Sequence, residues 1–423
     1  MTETFFTLLF LTALVVSVMV KLWLSHRQSR HVAAHRAAVP AAFAERIPLA
    51  AHQRAADYTL ARQRLAIVDL AIGTAFLLGL TLCGGLQWLH DVLLDWLPQA
   101  PFARQLLLVL GVMLAAGLVE LPVSLYRQFV LEQRFGFNRM TFALYLADLV
   151  KGTLVGAALG VPLVAVVLWL MQRSGEAWWL WTRLVWMAFN LFVLVLYPTV
   201  IAPLFNRFEP LADAAVRERV ERLLARCGFT ARGLFVMDGS RRSSHGNAYF
   251  TGLGRAKRIV FFDTLLARLT PAEIEAVLAH ELGHFRHRHI LQRIVVSFAV
   301  SLAGLALLGW LSRQGWFYQG LGITPQPGDQ PAVALVLFFS ALPVFTFLLQ
   351  PVASFLSRRH EFQADRFAAQ QAAAPDLVNA LVKLYEANAA TLTPDPVHSA
   401  FYDSHPPAGQ RISRLNGQIA PST

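Results

Sequence analysis

The sequence predicts a polytopic α-helical membrane protein: seven spans joined to a smaller α+β unit and a polar tail. Three observations carry this. The 423 residues are 56% hydrophobic and only 15% charged, whereas a soluble domain carries about 25% charged residues. Seven apolar stretches reach the roughly 20 residues that a helix needs to cross a hydrocarbon core. The remaining polar mass collects in one long loop and the C-terminal tail. The mean hydropathy of +0.47 agrees.

The spans fall near residues 5–24, 66–89, 105–126, 146–171, 178–198, 291–312 and 332–356. The first has no Lys or Arg before it and a basic flank after it, so it reads as a retained span and not as a cleaved signal. Pro122, Pro162 and Pro343 lie in or near spans, where neighbouring helices can satisfy the carbonyls that proline frees. The chain divides into spans one to five (1–198), a polar unit (199–290), spans six and seven (291–357) and the tail (358–423).

The formal net charge is +11. A balance this basic suits nucleic acid, but membrane proteins gather Lys and Arg on their cytoplasmic side, and the spans favour that reading. Membrane lipids, not nucleic acid, are the expected surroundings. Segment 21–65 holds eight basic residues, including Lys21, Arg27, Arg36 and Arg62. Loop 127–145 holds Arg127, Arg134 and Arg139, and the alternate loops hold one each: Arg104, Arg173 and Arg313. The N-terminus is therefore expected outside, with the polar unit and the tail both cytoplasmic. Cys83 and Cys227 imply neither a disulfide framework nor a cysteine metal site. The alanine- and arginine-rich composition suits a bacterial inner membrane.

The polar unit reads as α+β. Residues 213–225 form an amphipathic helix, 234–237 a short strand, and 244–251 and 259–262 two strands joined by a hairpin connection at 252–257. A strand pair of this kind either packs the domain or offers a free edge to an extended peptide.

A helix then begins with Thr270 as N-cap, Pro271 at the first position and Glu273 completing a capping box. It carries His280-Glu281-Leu282-Gly283-His284. On a helix the two histidines lie one turn apart on one face. They can hold one Zn²⁺, with Glu281 beside them to take a proton from water. The bland alternative is a surface helix with a His-rich end, since Phe285-Arg286-His287-Arg288-His289 follows. His287 lies about 10 Å further along the axis, too far for the same ion, so the third ligand comes from elsewhere.

In the tail, Glu361 and Asp365 are four residues apart on one helix face. Glu361 is the best third-ligand candidate, with Asp365 placed to bond a ligand histidine. A solvated helix start reads equally well from spacing alone. His405-Pro406-Pro407 forms a rigid turn that presents His405. Asp69, Glu120, Asp148 and Asn190 are polar positions within spans, suited to a hydrated interior or to the interface.

Taken with Arg242–Phe250, Lys257–Leu265, Arg134–Asn138 and Pro203–Asn206, these stretches resemble the type I CAAX prenyl protease family of integral-membrane zinc peptidases. The matching stretches run from about residue 40 to 412, nearly the whole chain. The resemblance implies seven helices enclosing a chamber, capped on the cytoplasmic side by a zincin-like metalloprotease domain. It implies one zinc per chain on His280, His284 and Glu361, with Glu281 as general base. Asp365 then supports a ligand, His405 steadies the tetrahedral intermediate, and Asn247, Ala248 and Tyr249 form the edge strand for the substrate backbone. The partner would be a peptide or protein, lipidated at a C-terminal CAAX motif. Rival readings are a broad-specificity quality-control protease, a metal transporter and an inactive scaffold. No span carries a mid-membrane ligand cluster, which counts against the transporter, and no catalytic position is vacant, which counts against the scaffold.

Overall fold

The computed structural model describes residues 1–230, 233–251 and 258–419. Among these residues, seven helices are long and apolar enough to cross a membrane: Glu3–Ala34, Leu49–Leu80, Pro101–Glu132, Phe142–Arg173, Gly175–Phe205, His289–Leu311 and Gln330–Gln371. Their outward faces carry exposed Leu114, Leu154 and Val300, as expected where the solvent is lipid.

The helices outrun the hydrophobic stretches that mark them. The first continues to Ala34 and the second begins at Leu49, so most of the basic segment 21–65 is helix and not loop. Hydropathy detects the part of a helix that lies in lipid and misses its polar extension. The second span also ends earlier than its apolar run. The helix stops at Leu80, Gly84 takes a left-handed φ of 81°, and a separate helix, Gly85–Trp96, follows. Only glycine adopts that φ without strain. Pro122, Pro162 and Pro343 each lie inside a helix.

The polar unit is built on a four-stranded sheet: β1 (Phe208–Pro210), β2 (Gly233–Met237), β3 (Ala248–Thr251) and β4 (Arg258–Phe262). The spatial order is β1-β2-β4-β3, with β2 and β4 parallel and both outer pairs antiparallel. β1 is too short to signal itself in sequence, and β3 is half the length of its predicted run. The connection 252–257 lies outside the described residues. The amphipathic helix is Ala214–Arg226, with Asp213 as its side-chain N-cap. Its Val220 and Leu223 pack with Ile259 and Phe261 of β4 and with Ile274 and Leu278 of the motif helix. The tail helices Ala374–Ala387 and Ala408–Ile419 close the same core through Leu377, Leu381 and Ile412. The sheet domain is therefore completed by residues from the far end of the chain.

Two bidentate ion pairs tie the sheet domain and tail to the spans. Arg242 donates to both oxygens of Asp148 in the fourth span, at 2.8 and 3.0 Å. Arg27 of the first span donates to both oxygens of Asp395, at 3.2 and 2.9 Å. Between the spans and the tail lies a cavity of about 1150 Å³, lined by Tyr58, Arg62, Asp69, Glu132, His245 and His405 among others. Asp69 meets Arg127 there at 4.0 Å, and Glu120 meets the same arginine at 3.7 Å. Asn190 instead bonds Trp186 O in its own helix.

Candidate functional site

The motif helix is Pro271–Arg286, and both halves of its capping box form: Thr270 Oγ1 accepts from Glu273 N–H, and Glu273 Oε2 accepts from Thr270 N–H. The same Glu273 oxygen receives Lys383 Nζ at 2.7 Å, which joins the helix start to the tail. The helix crosses the seventh-span extension, Gln350–Gln371, at Gly283 and Ala364. A Cβ at position 283 would lie 2.8 Å from Ala364 Cα. Glycine is therefore what lets the two backbones touch, and the contact sets Glu361 opposite the histidines.

His280, His284 and Glu361 converge. The His280 and His284 Nε2 atoms are 3.3 Å apart. Glu361 Oε2 is 3.3 Å from His280 Nε2, and Oε1 is 3.4 Å from His284 Nε2. A tetrahedral centre with bonds of about 2.0–2.1 Å has donor–donor edges of roughly 3.3–3.4 Å, so the three donors fit one cation. Glu361 is 2% exposed, and among the described residues its Oε2 makes no hydrogen bond. A buried carboxylate oxygen left so is costly unless a cation satisfies it. This is the one group of three or more such residues among the described residues that could hold a metal. Glu281 follows His280 on the helix and is half-buried.

Asp365 Oδ1 lies 2.9 Å from His280 Nδ1. It is in turn gripped by Arg411, whose Nε and Nη2 reach its two oxygens at 2.9 and 2.5 Å. Burial works against a charge on His280, but the carboxylates of Asp365 and Glu361 beside it outweigh this and carry its pKa up to about 9 in the metal-free protein. Arg411 is held in the charged state against its own burial by Asp365.

His405 stands with Nε2 3.6 Å from Glu361 Oε1, and Ser404 Oγ is 3.0 Å from its Nδ1. A proton donated by Ser404 leaves the ring N–H on Nε2, the nitrogen facing the site. The side chain is 62% exposed and is among those that line the cavity. Desolvation there outweighs the pull of Glu361 and lowers its pKa from the ordinary imidazole value. His405 is thus biased towards its neutral form, in which Nε2–H still offers a donor.

β3 is the outer strand of the sheet. Phe262 N–H donates to Asn247 O, so by strand alternation Asn247 and Tyr249 turn their backbone groups to β4. Ala248 and Phe250 turn theirs to the open edge. Ala248 N–H is meanwhile accepted by its neighbour's Asn247 Oδ1, at 2.8 Å.

The sequence family agrees with this geometry. Residues 28–207 match the CAAX prenyl protease N-terminal family of five membrane helices, and residues 210–419 match peptidase family M48. A CAAX prenyl protease 1 homolog of Arabidopsis thaliana is 36% identical over 76% of this chain and 75% of its own length. The chain belongs to the CAAX prenyl protease 1 family of M48 metallopeptidases. The CAAX prenyl protease 1 of Saccharomyces cerevisiae is 35% identical, over 71% of this chain and 69% of its own. The crystal structure of S. mikatae Ste24p superposes with a TM-score of 0.91 at 28% identity, covering 97% of this chain and 99% of that one. This M48 peptidase is accordingly a multi-pass membrane metalloprotease, with a peptide or protein as substrate.

Sequence reasoning gave no role to Arg411, His289 or Gln363 of the peptidase. Arg411 is one charged residue in an otherwise unremarked tail helix, and only the fold shows that it is buried (5% exposed). Removing one partner of a buried ion pair costs about 3–5 kcal/mol. Arg411→Leu is expected to lower the thermal stability of the detergent-purified chain by about that much, and its metal occupancy with it. A melting temperature equal to the parent's would refute the pairing.

Proposed function

We propose that the chain is a zinc endopeptidase whose metal is held by His280, His284 and Glu361. The observation that carries this is the triangle of donor atoms at 3.3–3.4 Å, at the crossing of two helices beside the 1150 Å³ cavity. Bound zinc supplies Lewis acidity and brings the pKa of a coordinated water down towards about 7. Glu281 takes the proton from the attacking water and returns it to the leaving amine. Asp365, backed by Arg411, holds the His280 ring, and His405 Nε2–H donates to the oxyanion. Substrate lies extended along Asn247–Tyr249, pairing with the outward backbone of Ala248 and replacing Asn247 Oδ1 as the partner of its N–H.

By the names of its relatives, the substrate we propose is a protein ending in a prenylated CAAX motif. The cavity's polar lining, with Arg62, Asp69 and Glu132, supports a second reading in which unlipidated chains also enter. We further propose an N-terminus outside and a C-terminus in the cytoplasm, supported by the arginine-rich loops, in a bacterial inner membrane, supported by composition. The test is zinc content together with cleavage of matched farnesylated and plain peptides. About one zinc per chain, with cleavage of the farnesylated peptide alone, supports the CAAX reading. Equal cleavage of both supports quality control, and zinc-independent cleavage refutes the mechanism.

With its pKa at about 9 in the metal-free protein, His280 would give up one proton on taking a metal at pH 7. Apparent zinc affinity is therefore expected to rise about tenfold per pH unit from pH 7 to 9 and to level off above. Chelator competition at several pH values reads the slope directly. A flat profile over that window would contradict the coupling.

A further inference from the structure

The two histidines proposed as ligands are supported differently. His280 Nδ1 meets a carboxylate, Asp365. His284 Nδ1 instead meets another imidazole, with His289 Nδ1 3.0 Å away. His289 is 1% exposed, and its far nitrogen, Nε2, lies 2.8 Å from Gln363 Oε1. Its ring is packed against His360, with centroids 4.0 Å apart and planes 11° from parallel, and more loosely against His287 at 5.5 Å. The stacking and the two ring-nitrogen contacts together hold Nδ1 towards His284 and Nε2 towards Gln363.

Two ring nitrogens 3.0 Å apart bond only if one carries the proton and the other a lone pair. This leaves two directions for the chain of bonds. In one, His284 Nδ1–H donates to His289 Nδ1, and His289 Nε2–H donates to Gln363 Oε1. His284 Nε2 then carries a lone pair, directed at His280 Nε2 and Glu361. In the other, the Gln363 amide N–H faces His289, every bond reverses, and a proton on His284 Nε2 blocks the metal.

We infer that His289 and Gln363 are positioning residues that hold His284 in the tautomer whose Nε2 is free for the metal. The inference rests on the reading of His284 as a ligand. It explains why Gln363 lies two residues after Glu361: one helix supplies both a ligand and the terminal acceptor that orders another ligand's proton. The arrangement also supports His284 without a further carboxylate beside Glu361 and Asp365. His280 already has Asp365, and a neutral imidazole–amide pair fixes His284 without adding negative charge.

The test is zinc affinity of the full-length chain in detergent, by competition with a chromophoric chelator, alongside the melting temperature of the metal-free protein. His289→Phe preserves a flat ring against His360 but cannot accept from His284. Gln363→Leu removes the terminal acceptor, and Gln363→Glu keeps it. Loss of an outer partner of a ligand histidine typically costs 10–100-fold in metal affinity. That loss is expected for His289→Phe and Gln363→Leu at an unchanged metal-free melting temperature, with Gln363→Glu within about threefold of the parent. Parent-like affinity in both deletion variants, while His284→Ala loses zinc, would overturn the inference and leave the ligand reading intact. Zinc retained by His284→Ala would overturn the ligand reading and the inference with it. If His289→Phe does not fold, Gln363→Leu decides alone.

Discussion

Glu281→Gln is expected to keep the full metal content of the parent chain while kcat falls by about 10²- to 10⁴-fold. The two halves of this result come from different atoms. The donors that converge are His280, His284 and Glu361, and the change touches none of them. Gln has the size and helix propensity of Glu, so the motif helix and its capping box should persist. What disappears is the carboxylate proposed to take a proton from water and return it to the amine, since an amide has no such basicity. Glu361→Gln is the contrasting control. It alters a donor within a buried triangle and should lower metal content and activity together. The two variants separate proton transfer from metal holding by a metal assay and a peptide assay on the same sample. Full activity in Glu281→Gln would remove Glu281 from the mechanism. Loss of metal in that variant would mean that Glu281 contributes to binding and not only to proton transfer.

The parts of this site that are local in sequence were legible in the sequence. The motif helix announces itself because cap, proline, capping-box glutamate and the i, i+4 histidines all lie within fifteen consecutive residues. Span centres were legible for the same reason, as continuous apolar runs. Span ends were not, because a helix continues into water with polar residues, as at Leu49–Leu80. Glu361, Asp365 and His405 were not fixed by spacing. Their roles came from the resemblance of whole stretches, and the geometry now supports it. Arg411 and His289 carried no signal. A buried arginine and a surface arginine look alike in sequence, and His289 sits in a basic run that reads as a solvated helix end. Each acquires meaning only when a distant segment packs on it: Asp365 against Arg411, Gln363 against His289.

Gly283→Ala is expected to lower metal affinity and activity each by about 10²-fold without unfolding the spans, and Ala364→Gly in the same chain is expected to restore little of either. The added methyl would stand 2.8 Å from Ala364 Cα, 3.1 Å from its carbonyl oxygen and 3.2 Å from its Cβ. Carbon atoms in good contact are about 3.5–4.0 Å apart. Two of the three obstructing atoms are backbone, so no rotamer relieves the clash and the helices must part by roughly 1 Å. Glu361 lies less than one turn from Ala364, so it moves with the displaced helix. Its oxygens now sit 3.3–3.4 Å from the histidine nitrogens, and a shift of that size takes them out of bonding range of a common cation. A misplacement of about 1 Å at a reacting centre can cost about 10² in rate. Ala364→Gly removes only the Cβ at 3.2 Å and leaves the Cα at 2.8 Å and the carbonyl oxygen at 3.1 Å, so most of the clash persists in the double variant. Parent-like metal affinity in Gly283→Ala would mean that Glu361 is held in place by the tail and not by the crossing.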